Sequence, residues 1–217
     1  MKRGPVIAID GPAGTGKSTV SRLLAERLHF TYLDTGAMYR AVAVKAYKEG
    51  IDIEDEDKLK KFCSNIRLNF KDNKIFVDGR DYSNEIRKTS AGPLSSKVST
   101  KKTVREAMVR LQRSMAENGS VVMEGRDIGT VVFPDADIKF YLDASAELRG
   151  KRRYLELKEK GSDVSLAKVI EEVKARDEQD STRAHSPLRK ADDAIHIDTS
   201  NMTIEDVVKK MVEAIEK

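Results

Sequence analysis

Eight consecutive residues near the start of the chain, Gly11-Pro12-Ala13-Gly14-Thr15-Gly16-Lys17-Ser18, follow the pattern G-x-x-x-x-G-K-S. Glycines at this spacing let the backbone wrap so that several N–H groups converge on phosphate oxygens. A helix starting at Lys17 would add its positive end. In such a loop the lysine reaches the β- and γ-phosphates, and the serine hydroxyl can ligate Mg²⁺. Gly11, Pro12, Ala13, Gly14, Thr15, Gly16, Lys17, Ser18 and the adjoining Thr19 are therefore the expected phosphate-binding set, with Ser18 as the direct metal contact. The loop by itself identifies a triphosphate and a cation, not the acceptor of any transferred group.

Two further polar clusters follow apolar runs: Asp34-Thr35-Gly36 with Tyr39-Arg40, and Glu124-Gly125-Arg126-Asp127. If those runs are parallel strands, both clusters lie beyond carboxyl ends of the sheet, near the loop. Arg40 and Arg126 are then expected to face a second anion, unless they pair with local acids. A third cluster extends an apolar stripe. Leu166, Val169, Ile170 and Val173 have helical spacing, and the same face continues into Arg176, Asp180 and Arg183. These lie at i, i+4 and i+7. A guanidinium turned inward needs a partner, and phosphate matches its planar fork; an internal ion-pair ladder is the alternative. Many arginines, a phosphate loop and no nucleophile point to phosphoryl transfer, a reaction of positioning and charge neutralisation. The Arg- and Lys-rich segment 149–190 could close over the phosphates and exclude water.

The elements that must hold these groups read as an alternation. Val6–Ile9, Phe30–Leu33, Val121–Met123, Ile138–Leu142 and Ile195–Ile197 are short apolar strands. Helices are expected from Lys17, over Ala37–Tyr47, over 100–117, over Ser145–Lys160, from Ser165, and over 203–216. This is an α/β pattern, a parallel sheet flanked by helices. Asn65–Ser83 breaks it with period-two alternation (Ile66, Leu68, Phe70, then Ile75 and Val77) around a turn at Asp72-Asn73. It reads as an inserted antiparallel hairpin, with room for a third short strand. Residues 84–99 read as polar and irregular.

Composition bounds the class. The chain of 217 residues carries 40 basic and 36 acidic residues, a net charge of +4, and one cysteine. The excess suits an anionic small ligand at least as well as nucleic acid. Cys63 permits neither an internal disulfide nor a cysteine-based metal cluster, and it suggests a reducing compartment. No export segment and no run of roughly 18 apolar residues is visible, so a soluble cytoplasmic protein is expected. His29, His185 and His196 are scattered without ligand spacing.

The strings IAIDGPAGTGKST, YLDTGAMYR, EGRDIGTVVFPDA, KFYLDAS and RDEQDSTRAHSPL, in this order and spacing, resemble the bacterial cytidylate kinases of the nucleoside monophosphate kinase group. The likeness spans nearly the whole chain, and its central string is far more specific than the phosphate loop. It implies the P-loop kinase fold, with a five-stranded parallel sheet, a β-plus-helix monophosphate-binding insert and a helical lid. The corresponding segments are a core of about 1–36, 119–148 and 192–217, an insert of about 37–118, and a lid region of about 149–190. It also implies ATP as donor, Mg²⁺, and CMP or dCMP as acceptor, handled by a monomer with no nucleic-acid or membrane partner.

By the same resemblance Thr35 touches the nucleotide. Arg40 and Arg126 hold the acceptor phosphate, Ser96 and Arg105 contact cytosine, and Asp127 contacts the sugar. Arg176 and Arg183 bridge the phosphates as the lid closes. Lys17, Arg126, Arg176 and Arg183 form the implied catalytic set. Glu124 stands where the family commonly has Asp, so its contact with cytosine N4 comes from a carboxylate one methylene longer.

Other classes fit less well. A metabolite kinase of the same fold would not need the insert or the Ser96/Arg105 pair. A GTP-dependent switch needs N-K-x-D and D-x-x-G. Asn73-Lys74 is followed by Ile75-Phe76, and D-x-x-G does not occur. Nucleic-acid binding through Lys101, Lys102, Arg105, Arg110 and Arg113 would lack an aromatic stacking platform.

Overall fold

Elements follow one another in the order the alternation predicts, with additions. The computed structural model describes residues 4–71 and 74–216. Strand β1 (Val6–Asp10) leads through the phosphate loop into α1 (Lys17–Leu28), then β2 (Thr31–Asp34) and α2 (Thr35–Lys48). Next come α3 (Glu56–Asn65), β3 (Leu68–Lys71), β4 (Lys74–Val77), β5 (Arg80–Asp81), α4 (Ala91–Val98) and α5 (Lys102–Met115). The chain finishes with β6 (Val121–Gly125), β7 (Ile138–Asp143), α6 (Ala146–Glu159), α7 (Leu166–Thr182), β8 (Ile195–Asp198) and α8 (Ile204–Ile215). Contacts divide these into two compact units, Met1–Tyr32 with Asn118–Lys217, and Leu33–Glu117.

In the first unit the strand order is β2-β6-β1-β7-β8, with β1 parallel to both β6 and β7, and β7 parallel to β8. Every residue of β1 is buried, as a strand covered on both faces requires, which is why it reads as a continuous apolar run. Ile7, Ile9, Leu24, Val122, Phe140, Leu142, Ile197 and Met211 form one core cluster. The register sets Asp10 opposite Gly125 on one side and Tyr141 on the other. Chain order reverses on either side of β1, the place where open α/β sheets bind ligands. Among the described residues no helix is long and apolar enough to cross a membrane.

The second unit has its own core, built on Met38, Val42, Leu59, Ile75, Val104 and Met108. Its three-stranded sheet runs β3-β4-β5, with Leu68 opposite Val77 and Phe70 opposite Ile75. The expected Asp72-Asn73 turn lies outside the described residues. Asp78 and Gly79 both have positive φ, 48 and 80, the requirement of a tight hairpin turn between β4 and β5.

Residues 84–99, expected to be irregular, contain a 3₁₀ turn at Glu85–Arg87 and the helix α4. Pro93 occupies the first turn of α4, where a missing N–H costs no hydrogen bond. Alternation does not announce α3 either; the Asp55 carboxylate starts it by accepting the Lys58 amide at 3.1 Å.

Helices α6 and α7 pack together where α6 carries no side chain. A Cβ added at Gly150 would lie 2.5 Å from Ile170 Cγ1 and 3.0 Å from Ile170 Cα. Gly150→Ala gains about 1 kcal/mol of helix propensity. The clash with a backbone atom opposes that gain by about 1–3 kcal/mol of overpacking. We expect a lower urea midpoint; an unchanged or higher midpoint would show that the two helices part without cost.

Candidate active site

The phosphate loop is shaped by three positive-φ glycines, Gly11 (146), Gly14 (80) and Gly16 (88). At Gly11 the limit is absolute, since a Cβ would sit 2.1 Å from the Leu142 carbonyl oxygen. Gly16 is the left-handed N-cap of α1 and offers no capping side chain. The first-turn N–H groups therefore remain for a ligand. Lys17 is buried, and its ammonium donates to Pro12 O at 2.5 Å and to Thr15 Oγ1 at 3.4 Å. Burial, helped by the positive charge of Arg126, lowers the Lys17 pKa from 10.5 to about 7, against the pull of Glu124 and Asp10. Ser18 is exposed beside it on the first turn of α1, and Thr19 is half-buried.

Beyond the end of β1, Asp10 ties the loop to the segment after β6. Its carboxylate accepts the amides of Ile128 at 2.9 Å and Gly129 at 2.7 Å. These amides open a single π turn, Ile128–Val132, of the kind that recurs at functional sites. Burial raises the Asp10 pKa from 3.8 to about 6 despite those two bonds.

Arg126 follows β6 and meets the arginines of α7 on one carboxylate. Asp180 is almost inaccessible. It pairs with Arg126 Nε at 3.0 Å, Arg176 Nε at 3.3 Å and Arg183 Nη1 at 3.4 Å. Arg183, the first residue past α7, also donates to Ser186 O at 2.7 Å and lies 3.9 Å from Asp127 Oδ1. Burial would raise the Asp180 pKa, but the three guanidinium groups outweigh it and hold the carboxyl below the usual range. Of the two partners anticipated for these guanidinium groups, this structure shows the internal carboxylate, with Arg126 added to the pairing. Glu124, also buried, accepts a short hydrogen bond from the Tyr32 hydroxyl.

The second unit holds the other expected site residues. Thr35 is buried at the start of α2, whose N-cap Asp34 accepts the Ala37 amide at 2.8 Å and pairs with Arg40 at 3.0 Å. Ser96 is half-buried on α4, its carbonyl accepting the Ser99 hydroxyl at 2.9 Å. Arg105, beside an apolar stripe in sequence, is only 3% exposed. It donates to Ser99 O at 3.1 Å, and its guanidinium lies 5.4 Å from the centre of the Tyr39 ring. Desolvation strengthens such a cation–π contact.

The first unit therefore brings the loop together with Glu124, Arg126, Asp127, Arg176 and Arg183, and the second gathers Thr35 and Arg40 on α2 with Ser96 and Arg105. Sequence reasoning assigned no role to Tyr32, considered Asp10 only as a metal contact through water, and treated Asp180 only as part of a stripe. The signal for Asp180 was present, an acid in register with an apolar face. Tyr32 and Glu124 are separated by 92 positions, and no local pattern pairs them.

A glycine-rich phosphate loop between the central strand of a parallel sheet and a helix, with arginines on facing elements, defines a P-loop kinase. Among solved structures, a gluconokinase from Sinorhizobium meliloti shares this fold, with a TM-score of 0.51 and 12% identity over 99% of this chain and 94% of that one. The family model described as cytidylate kinase matches residues 7–217. A cytidylate kinase of Syntrophotalea carbinolica is 52% identical over 99% of this chain and 93% of its own length. One of Geobacter sulfurreducens is 50% identical over 97% and 92%. The chain belongs to the cytidylate kinase family.

Two outcomes follow from the charges. Lys17 holds its proton less tightly folded (about 7) than unfolded (10.5). Its protonation therefore opposes folding, fully below about pH 7 and ever less as pH rises toward 10.5. In ligand-free protein Lys17→Met should raise unfolding free energy most near pH 6.5, and the gap from wild type should shrink by pH 10. A gap independent of pH in urea titrations would contradict the buried ammonium. Asp180→Asn leaves three guanidinium groups without their shared counter-charge. The expected loss is about 3 kcal/mol, partly restored by added inorganic phosphate; unaltered denaturation in both conditions would dismiss Asp180 as the organiser.

Proposed function

We propose that the chain transfers the γ-phosphoryl group of ATP to CMP or dCMP in a Mg²⁺-dependent reaction, giving ADP with CDP or dCDP. The observation carrying this reading is the phosphate loop together with three arginines gathered on one buried carboxylate in the same unit. Such a cluster is suited to exchange Asp180 for phosphate oxygens. The cytidine part rests on family membership and on the cytidylate kinases that the chain resembles.

In this reading the backbone N–H groups of the loop Gly11–Thr19, Pro12 excepted, cradle the donor phosphates, and Lys17 leaves Pro12 O for the β- and γ-phosphates. A lysine with a lowered pKa takes its proton back as phosphate approaches, because a dianion supplies the charge that burial withholds. Mg²⁺, when bound, neutralises charge on the donor phosphates. The exposed Ser18 hydroxyl is a hard oxygen ligand suited to a cation that otherwise takes water and phosphate. Among the described residues no group of three or more His, Cys, Asp or Glu could hold a metal ion. That fits a cation carried in on the nucleotide. Arg126, Arg176 and Arg183 stabilise charge on the group in transit, the main demand of the reaction.

On the acceptor side Arg40 and Arg126 hold the phosphate, Ser96 and Arg105 contact the cytosine, Asp127 contacts the sugar, and Thr35 touches the nucleotide. Glu124 addresses the exocyclic amine, its carboxylate steadied by the Tyr32 hydroxyl. We assign acceptor binding to the insert 37–118, closure to 149–190 and donor binding to the remaining core, all within one cytoplasmic monomer. The deciding experiment measures ADP formation with CMP, dCMP, UMP, AMP and dTMP. CMP and dCMP should lead by at least tenfold in kcat/KM. Equal or better turnover of AMP or dTMP would reject the cytidine assignment.

A further inference from the structure

Arg149 and Thr199 touch the outer side of the phosphate loop, and neither belongs to the set above. Arg149, on the first turn of α6, is 4% exposed and uses its whole guanidinium. Nε donates to Ala144 O at 2.8 Å, Nη1 to Ala13 O at 3.0 Å, and Nη2 pairs with Asp177 Oδ2 at 2.6 Å. Thr199, just past β8 and 3% exposed, donates its backbone N–H to Asp143 O at 2.8 Å, and its single hydroxyl proton is shared between Asp143 O at 3.0 Å and Thr15 O at 3.3 Å. Arg152, one turn along α6 from Arg149, donates to Thr199 O at 2.9 Å. One face of α6 thus controls two carbonyls of the loop, Ala13 O directly and Thr15 O through Thr199.

A trans peptide carries its N–H antiparallel to its C=O. Drawing the Ala13 carbonyl toward Arg149 turns the Gly14 N–H the opposite way, and drawing the Thr15 carbonyl toward Thr199 does the same for the Gly16 N–H. Gly14 also lies against α6 itself: a Cβ there would be 3.1 Å from Arg149 Cβ and 3.3 Å from Arg149 O. The helix is therefore the outer wall of the loop at Gly14, whose amide points away from it. Without these ties the peptide planes of a glycine-rich loop rotate freely, and aligning them would cost binding energy.

We propose that Arg149 and Thr199 are positioning residues that preset the Gly14 and Gly16 amides for the phosphates of the donor, with α6 as their support. The proposal rests on the reading of that donor as a nucleoside triphosphate. Arg149 also engages α7 through Asp177, so the same guanidinium joins the loop to the helix bearing Arg176 and Asp180.

Binding of ATP, tripolyphosphate and CMP by isothermal titration calorimetry tests it, with full-length wild type, Arg149→Lys and Thr199→Val. Lysine keeps the charge, but its donors sit on one nitrogen and cannot span three acceptors spread around a planar fork. Valine removes one hydroxyl without altering charge. We expect the Kd for both ATP and tripolyphosphate to rise about tenfold in Arg149→Lys and about threefold in Thr199→Val, with CMP affinity within twofold of wild type. Tripolyphosphate binding at wild-type strength in both variants overturns the positioning role, including when ATP alone weakens, because that places the contact on the base. An equal weakening of CMP also overturns it, as general damage. Should Arg149→Lys fail to fold, Thr199→Val decides. A wild type that binds neither ATP nor tripolyphosphate instead overturns the donor reading, and the positioning role with it.

Discussion

Three guanidinium groups and a buried ammonium cannot share a poorly solvated space without counter-charge, and almost everything around the site answers that constraint. Asp180 takes Arg126, Arg176 and Arg183 together. Glu124 and Asp10 act on Lys17. Removing one partner from such an arrangement is costly, whereas exchanging one anion for another is not. A site that must receive phosphates and release them needs this property. The carboxylate holds the three arginines in one assembled cluster.

The sheet makes this arrangement possible. Because β6 and β7 both lie against β1 in parallel register, the chain leaves the same edge of the sheet at Asp10, at Gly125 and at Asp143. Those three exits bring the phosphate loop, the Arg126 segment and the start of α6 to one place. Asp10 strengthens the convergence by capping the π turn after Arg126 with its carboxylate. Its raised pKa is the cost of placing that carboxylate in the core.

Glu124 illustrates how a buried carboxylate is steadied by a neighbouring strand. The extra methylene adds rotational freedom to a carboxylate expected to recognise a base. Tyr32, on the neighbouring strand β2, donates to one of its oxygens and so limits the orientations open to the other. The second unit uses a comparable device at Arg105, which is held between the Ser99 carbonyl and the Tyr39 ring. In both places an aromatic residue with one polar or π-acceptor face positions a charged group.

Much of the fold was legible because its signals are local. The buried run Val6–Ile9, the glycine octet and the helical spacing after Lys17 announce strand, loop and helix without reference to the rest of the chain. The alternation in 65–83 announces the antiparallel insert in the same way. Helix α4 was not legible, because Pro93 means a break or a first turn depending on what packs beneath it.

The site divides along the same line. Residue types and local spacing are enough to show which groups the chain owns: a phosphate loop, acids and arginines at strand ends, and an Arg-Asp-Arg stripe that runs along α7 and ends just past it. Which of them meet is a matter of the folded chain. Arg126 reaches Asp180 across 54 positions, and Arg149 reaches Ala13 across 136. Strand order brings such residues together, and burial then makes each pairing obligatory, since a charge removed from water must find a partner within a few ångströms.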